Sequence, residues 1–340
     1  MMNEQGGNFV KKVLVTGAGG FIGSHVVEEL LKENVEVRAF IKPSESLVNL
    51  QGMEIERIEG DVLDNGAVLK AMMGIDTVFH LAAIYTIWTR DWSRIYEVNI
   101  QGTQNVLWAA MKSNIERVIY TSSIAAIGIR PGKQLSDENT PFNQYTLGNH
   151  YVLTKYLSQQ IACGFAANGL NVVIVNPCFP FGTKDIAPTP TGQLIVDVLK
   201  GKNMFAFPGG INIVDVKDVA RGHILAARKG KTGELYILGN RNVTMKEFMQ
   251  LVYKAAGFTV KPILTLPVPV LKQAASAFKF WSDNISHKTP LTTPPEVSYA
   301  SQHLFFDNSK ARNELGLTFT PIEESLRDSV QWFRKNYYAP

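Results

Sequence analysis

The octapeptide Thr16-Gly17-Ala18-Gly19-Gly20-Phe21-Ile22-Gly23 follows the apolar run 13–15 and opens a segment whose apolar residues, Ile22, Val26, Val27, Leu30 and Leu31, share one helix face. Strand, glycine turn and helix in that order make the first half of a βαβ unit, which confines the chain to a small set of parallel-sheet folds. The glycines divide the work. Gly17 makes the tight turn, Gly20 lets backbone N–H groups approach a pyrophosphate at the helix N-terminus, and Gly23 allows close helix–strand contact. The bland alternative is a glycine turn kept for packing alone.

The alternation continues. Residues 35–41, 54–58, 77–81, 117–121 and 171–175 read as strands, and Asp64 caps a helix running to Met73. Residues 91–113 and 149–168 read as helices, the second stopped by Gly169. After Pro177 the texture changes, with ten prolines from Pro180 to Pro295 that predict short elements and loops. The expected organisation is a dinucleotide-binding domain over 11–176 and a smaller substrate-binding region over 177–335, from which about 211–240 returns to the first domain. A length of 340 residues suits that division.

A hydrophobic fraction of 45% excludes disorder, and two cysteines, Cys163 and Cys178, exclude a disulfide scaffold or a clustered thiolate metal site. The net charge of +4 is spread without a run of five Lys/Arg, so no nucleic-acid footprint is expected. Residues 1–9 are polar, and no stretch of 18 apolar residues occurs, which predicts a cytoplasmic protein without a transmembrane span. The apolar stretch 264–281 is broken by Pro267, Pro269, Lys272 and Lys279. Its Phe278, Phe280 and Trp281 suit either packing on the main domain or peripheral contact with a membrane surface.

At the end of the second strand, where an NAD site places an acidic residue, the chain reads Val37-Arg38-Ala39-Phe40-Ile41-Lys42. Two cations and no carboxylate predict NADP, with Arg38 as the principal contact to a 2′-phosphate and Lys42 as support; NAD is the alternative. Asp61, followed by Val62, stands where a carboxylate and the next N–H could read an adenine. Leu81-Ala82-Ala83 offers small residues beside the cofactor path.

Tyr151 and Lys155 are one turn apart on the long predicted helix and so share a face. A nearby ammonium favours phenolate, so Tyr151 could exchange a proton near neutral pH, while Lys155 could also hold a ribose. Ser123, after the fifth strand, could donate to a carbonyl or alkoxide oxygen.

The motifs TGAGGFIG, HLAA, VNIQGT, TSS, YVLTK, NPCFPFG and DVKDVA together resemble the extended short-chain dehydrogenase/reductase superfamily, over about residues 11–333. Within it the chain is most similar to the dihydroflavonol 4-reductase-like group and to bacterial hopanoid-associated sugar epimerase proteins, through 85–92 (YTIWTRDW), 175–192 and 305–317. The resemblance implies a Rossmann-type doubly wound sheet. It implies Ser123, Tyr151 and Lys155 as catalytic residues, with Asn99 supporting a proton relay. Matched cofactor positions are Gly17, Gly20, Phe21, Ile22, Arg38, Asp61, Val62, Ala82, Ala83 and Pro177, and a homodimer through helices 94–112 and 151–167 is implied as well. Sugar-nucleotide dehydratases of this superfamily carry Asp-Glu after the triad hydroxyl; here Ile124-Ala125 follows Ser123, which speaks against dehydration. Ile211 stands where nucleotide-sugar epimerases usually present an arginine to the diphosphate.

These readings converge on an oxidoreductase interconverting a ketone or aldehyde with an alcohol. An epimerase that retains its cofactor and a non-catalytic nicotinamide sensor are the rivals. Tyr85 and Trp88 in the loop after the fourth strand, and Phe179 to Phe181 after the sixth, are expected to wall an apolar substrate pocket. The six histidines lack ligand spacing, so no metal is expected.

Overall fold

The structure, a computed structural model, describes residues 12–338 apart from 44 and 203–204. The polar segment 1–9 and the predicted domain start at residue 11 lie outside the described residues.

The chain runs β1 (Lys12–Thr16), α1 (Phe21–Lys32), β2 (Glu36–Ile41), β3 (Glu56–Glu59), α2 (Asn65–Ala71) and β4 (Thr77–His80). Next come α3 (Ser93–Tyr96), a π-helical stretch Glu97–Gly102, and α4 (Thr103–Lys112). Strand β5 (Arg117–Thr121), helix α5 (His150–Ala167) and β6 (Val172–Pro177) complete the alternation. Seven strands form one sheet in the order β3-β2-β1-β4-β5-β6-β10, where β10 is Leu235–Leu238, and every pairing is parallel. The order reverses between β1 and β4, so the crevice outside their carboxyl ends is the natural ligand position.

Strands buried on both faces read as unbroken apolar runs. Val172, Val173, Ile174 and Val175 of β6 are all fully buried, shared between a layer with α1 on one face and a layer with α2 and α4 on the other. Side-chain caps set the helix starts: Asp64 accepts from the Gly66 and Ala67 amides, and Asn149 from Val152. Helix α2 stops at Ala71, two residues short of expectation, and Gly74 follows in the left-handed region at φ 71°.

Beyond Pro177 the elements are β7 (Phe179–Phe181), α6 (Pro190–Leu199), β8 (Phe205–Ala206), β9 (Gly210–Asp215), α7 (Val216–Lys229), β10, β11 (Arg241–Thr244) and α8 (Met245–Ala255). The chain ends with β12 (Leu264–Thr265), α9 (Val268–Trp281), α10 (Pro294–Ala300), β13 (His303–Leu304) and α11 (Ile322–Phe333). Strands β7, β9, β11 and β13 make a second sheet, whose core includes Phe181, Ile211, Phe248 and Phe333. This sheet is absent from the sequence reading because strands of two to six residues are too short to display a period. Helix α7 packs on α1 and the main sheet, and β10 adds its seventh strand.

Candidate active site

The glycine turn between β1 and α1 is built for close backbone approach. Gly17 has φ 68°, and a Cβ on it would lie 2.8 Å from the Ala82 amide nitrogen; a Cβ on Gly23 would lie 2.1 Å from the Gly17 carbonyl oxygen. Gly20 caps α1 without a side chain, and its own N–H bonds the Gly17 carbonyl. The first-turn N–H groups of Phe21, Ile22 and Gly23 have no partner inside the helix, and this is the arrangement that receives an anion. Leu81 and Ala82 are tied to β1, the Leu81 N–H to Thr16 O and the Ala82 N–H to Thr16 Oγ1, so the end of β4 runs against the turn, with Ala83 next in line.

The structure corrects the reading of Arg38. Arg38 pairs with Leu14 in the middle of β2, not at its end. Its guanidinium donates to the Ala71 and Met73 carbonyls and pairs with Glu56 at 2.9 Å, so it fastens α2 and β3 to the sheet. Lys42 is the cation at the strand's end. The absence of a carboxylate there is also corrected: Glu45 accepts the Lys42 N–H through Oε2, and its Oε1 lies 2.7 Å from where a Cβ on Gly19 would sit. Asp61 Oδ1 accepts the Leu63 N–H, and Oδ2 pairs with Arg94 at 2.6 Å. Burial raises its pKa, but these two donors and the nearby Lys42 outweigh that and keep the carboxyl below its usual range. The Val62 side chain is buried against Gly102, so only its backbone is available to a ligand. Pro177 closes β6 opposite Leu238.

The catalytic candidates meet at the ends of β5 and β6. Asn176 donates to the Ser123 carbonyl at 2.8 Å and to Gln159 at 2.7 Å, fixing the segment after β5. Ser123 Oγ accepts the Ala125 N–H and lies close enough to the Tyr151 phenol to lower its pKa. Burial pushes the Tyr151 phenol up; the Ser123 hydroxyl opposes this and the Glu296 carboxylate adds to it, so the phenol stays protonated at neutral pH. Lys155 is buried one turn away, and its Nζ donates to the Thr121 carbonyl at 2.9 Å. Desolvation lowers its ammonium to about 7.

Asn99 lies in the π-helical stretch, fully enclosed. Its amide clasps both backbone groups of Ile84 and donates to Thr154 Oγ1 at 3.2 Å, joining the loop after β4 to the helix of Tyr151 and Lys155. A buried chain leads to it from the glycine turn. The Ala82 N–H donates to Thr16, Thr16 to His80 Nδ1, His80 Nε2–H to Thr103, and Thr103 to the Asn99 carbonyl. Burial holds His80 down to about 3, so it is a neutral structural link.

Over Tyr151 lies Tyr85, edge-on with ring centroids 4.8 Å apart. Two residues on α10 that sequence reasoning missed stand near Tyr151: Glu296, whose carboxylate acts on the Tyr151 phenol, and Tyr299, whose own buried phenol is raised in part by Tyr151. Glu296 accepts from Asn149 Nδ2 at 3.0 Å, and burial raises its pKa. Nothing in local spacing links residue 296 to 151; only the docking of α10 on the start of α5 does. Beside this group is a cleft of about 480 Å3 walled by Trp88, Arg90, Trp92 and His150 on one side and Lys279, Asp283 and Pro295 on the other. Trp92 stacks on His150 at 4.1 Å, and the Trp88 indole donates to Asp283 at 2.8 Å. Of the second wall expected from Phe179 to Phe181, Phe181 is corrected, being fully buried in the second core, while Phe179 is half-buried and packs against both cores. The facing wall comes from α9, the turn after it and α10.

Among the described residues no group of three or more His, Cys, Asp or Glu is placed to hold a metal ion. No helix among them is long and apolar enough to cross a membrane.

Comparison with known proteins adds to this geometry. The model of the NAD dependent epimerase/dehydratase family matches residues 13–239. A Synechocystis sp. protein named "Putative dihydroflavonol 4-reductase" is 36% identical over 96% of this chain and 95% of its own. Sterol demethylase protein B of Methylococcus capsulatus is 32% identical over 95% of this chain and 98% of its own. The crystal structure of gox2253 superposes with a TM-score of 0.86 at 34% identity, covering 97% of this chain and all of the other.

Proposed function

Because the chain belongs to the NAD dependent epimerase/dehydratase family, a family of nicotinamide-dependent enzymes, we propose that it is an NADP(H)-dependent oxidoreductase that interconverts a ketone or aldehyde with an alcohol. The observation that carries this reading is the half-buried, protonated Tyr151 beside Ser123 at the strand ends next to the glycine cradle. The cradle fits a dinucleotide: a side chain at Gly17 or Gly23 would fill it, and α1 begins with free N–H groups and no capping side chain.

When bound, the nicotinamide supplies the hydride to the carbonyl carbon in reduction and takes it back in oxidation. Ser123 and Tyr151 hydrogen-bond the carbonyl oxygen, and the Tyr151 phenol gives its proton to that oxygen as the carbonyl becomes an alcohol. Lys155, held by the Thr121 carbonyl, is the cation nearest along the helix face and restores the proton balance as the phenol is recharged from solvent. Asn99 keeps the loop after β4 and the Tyr151 helix in register. Lys42, at the end of β2, is the proposed partner of a 2′-phosphate.

The substrate is proposed to be a carbonyl compound with an apolar or aromatic body, because Tyr85 covers Tyr151 and Trp88 and Trp92 wall the adjacent cleft. Ile211 supports a substrate without a diphosphate, since it is buried in the second core rather than presented to a ligand.

The test is a Tyr151→Phe variant assayed with NADPH and a panel of aromatic and alicyclic ketones. The expected result is a loss of turnover of about 10²- to 10⁴-fold with NADPH affinity retained. Unchanged turnover would remove Tyr151 from the reaction and the proposal with it.

A further inference from the structure

His150 is the first residue of α5, directly before Tyr151, and its ring is held on two sides. Trp92 stacks on it with ring centroids 4.1 Å apart, and the Tyr96 hydroxyl stands 2.9 Å from its Nδ1. Desolvation lowers the imidazole, so it is neutral at neutral pH, and a neutral imidazole carries one N–H donor and one acceptor nitrogen. The Tyr96 hydroxyl decides which is which. Burial raises the Tyr96 phenol, which keeps its proton, and among the described residues that hydroxyl has only His150 Nδ1 to bond. Tyr96 therefore donates to Nδ1, and the imidazole proton sits on Nε2.

That Nε2–H belongs to a residue lining the cleft and has no hydrogen-bond partner among the described residues. Most other polar side chains of the cleft are engaged. Asp283 accepts from Lys279 and the Trp88 indole, Asn149 accepts the Val152 N–H and donates to Glu296, and the Thr89 and Thr293 hydroxyls serve the backbone of Asp91 and Glu296. The polar side-chain groups lining the cleft that have no hydrogen-bond partner among the described residues are His150 Nε2–H, the Trp92 indole N–H and the Arg90 guanidinium. All three are donors, so what the cleft lacks is an acceptor.

We propose that His150 is a specificity-determining residue whose Nε2–H receives a second oxygen of the carbonyl substrate, so that the cleft takes aromatic or alicyclic carbonyl compounds carrying an acceptor oxygen remote from the reacting group. Tyr96 is the positioning residue that fixes the imidazole tautomer. Consecutive side chains leave a helix about 100° apart, which on a cylinder of helical width sets the His150 and Tyr151 polar ends on the order of 8 Å apart. A para-substituted benzene ring spans such a gap. The inference rests on the proposed carbonyl chemistry for the reacting end alone, and its test reads the tautomer and binding as well as turnover.

The probes are 4′-methoxyacetophenone and 4′-ethylacetophenone, alike in size and differing by an oxygen in place of a methylene. In long-range nitrogen–proton spectra of the full chain with 15N-labelled histidine and NADP+ present, the His150 signal, identified by its loss in His150→Phe, is expected to show the Nε2–H tautomer. It is expected to shift on addition of the methoxy ketone more than on addition of the ethyl ketone, and Tyr96→Phe is expected to release the tautomer preference. With NADPH, kcat/KM is expected to favour the methoxy ketone by about three- to tenfold. That ratio is expected to fall to about one in His150→Phe, which keeps a ring for Trp92 to stack on, and to be restored in part by His150→Gln, which returns a donor. An Nδ1–H tautomer, equal shifts with the two ketones, or a ratio unaltered in His150→Phe would each overturn the proposal. The expected tautomer and shift without turnover of either ketone would leave His150 as the binding contact and instead count against the proposed reduction.

Discussion

The proton on Tyr151 is the quantity that the surrounding residues control. Burial and the Glu296 carboxylate hold it on the phenol, and the Ser123 hydroxyl loosens it. Removing the charge of Glu296 in Glu296→Gln takes away one cause of the raised pKa. The alkaline limb of kcat/KM for the proposed reduction is then expected to move to lower pH, since in that proposal the phenol must be protonated to give its proton; an unmoved limb would detach Glu296 from the site. Gly23→Ala tests the cradle differently. Its Cβ would collide with backbone, so a loss of stability of more than about 2 kcal/mol is expected, read as a lower urea midpoint. At this scale the sequence exposed Ser123, Tyr151 and Lys155 through their motifs. It hid Glu296 and Tyr299, because contact between α10 and α5 is made by tertiary packing alone.

Strand β2 shows how an element decides what a residue does. Arg38 and Lys42 both read as strand-end cations, and register separates them: Arg38 lies opposite Leu14, three residues before the strand closes at Ile41, about 10 Å short of its end. Lys42→Asp is therefore expected to weaken NADP binding by tenfold or more, on the order of one charge-assisted hydrogen bond, while sparing NAD. Arg38→Met is expected to lower stability without changing the ratio of the two affinities. Equal loss of NADP and NAD in Lys42→Asp, followed by calorimetric titration, would remove Lys42 from the phosphate site. Period and punctuation made the main strands and helices legible to within a few residues. They could not reveal the π-helical stretch at Asn99, which keeps helical periodicity, or the sheet around β9, whose strands are too short to alternate.

The two parts of the molecule are joined where the cofactor cradle lies. Asn49 donates to the Gly19 and Lys184 carbonyls, and Lys184 pairs with Glu28 of α1, whose carboxyl is brought down to about 2 because hydrogen bonds from His25 and Lys184 outweigh its burial. His80 and His223 are buried neutral, held down to about 3 and about 4 by desolvation. Below about pH 6.5 the unfolded chain takes up protons that these folded imidazoles refuse, so their stabilisation is present above that pH and lost as it falls toward 4 and then 3. The Glu28 contribution is lost later, from about pH 4.5 toward 2. Urea unfolding is expected to show stability declining from about pH 6.5 downward, and a midpoint unchanged to pH 4 would contradict the buried neutral state of both histidines.

Net reduction by hydride and proton is the centre of the account, and transfer of deuterium from 4-deuterated NADPH tests it most directly. With an aromatic or alicyclic ketone that the protein turns over, the account predicts stoichiometric consumption of NADPH and a single deuterium on the carbinol carbon of the product alcohol. Retention of the nucleotide through turnover, with no net NADPH loss and a product differing from the substrate only in configuration, would contradict it and identify an epimerase.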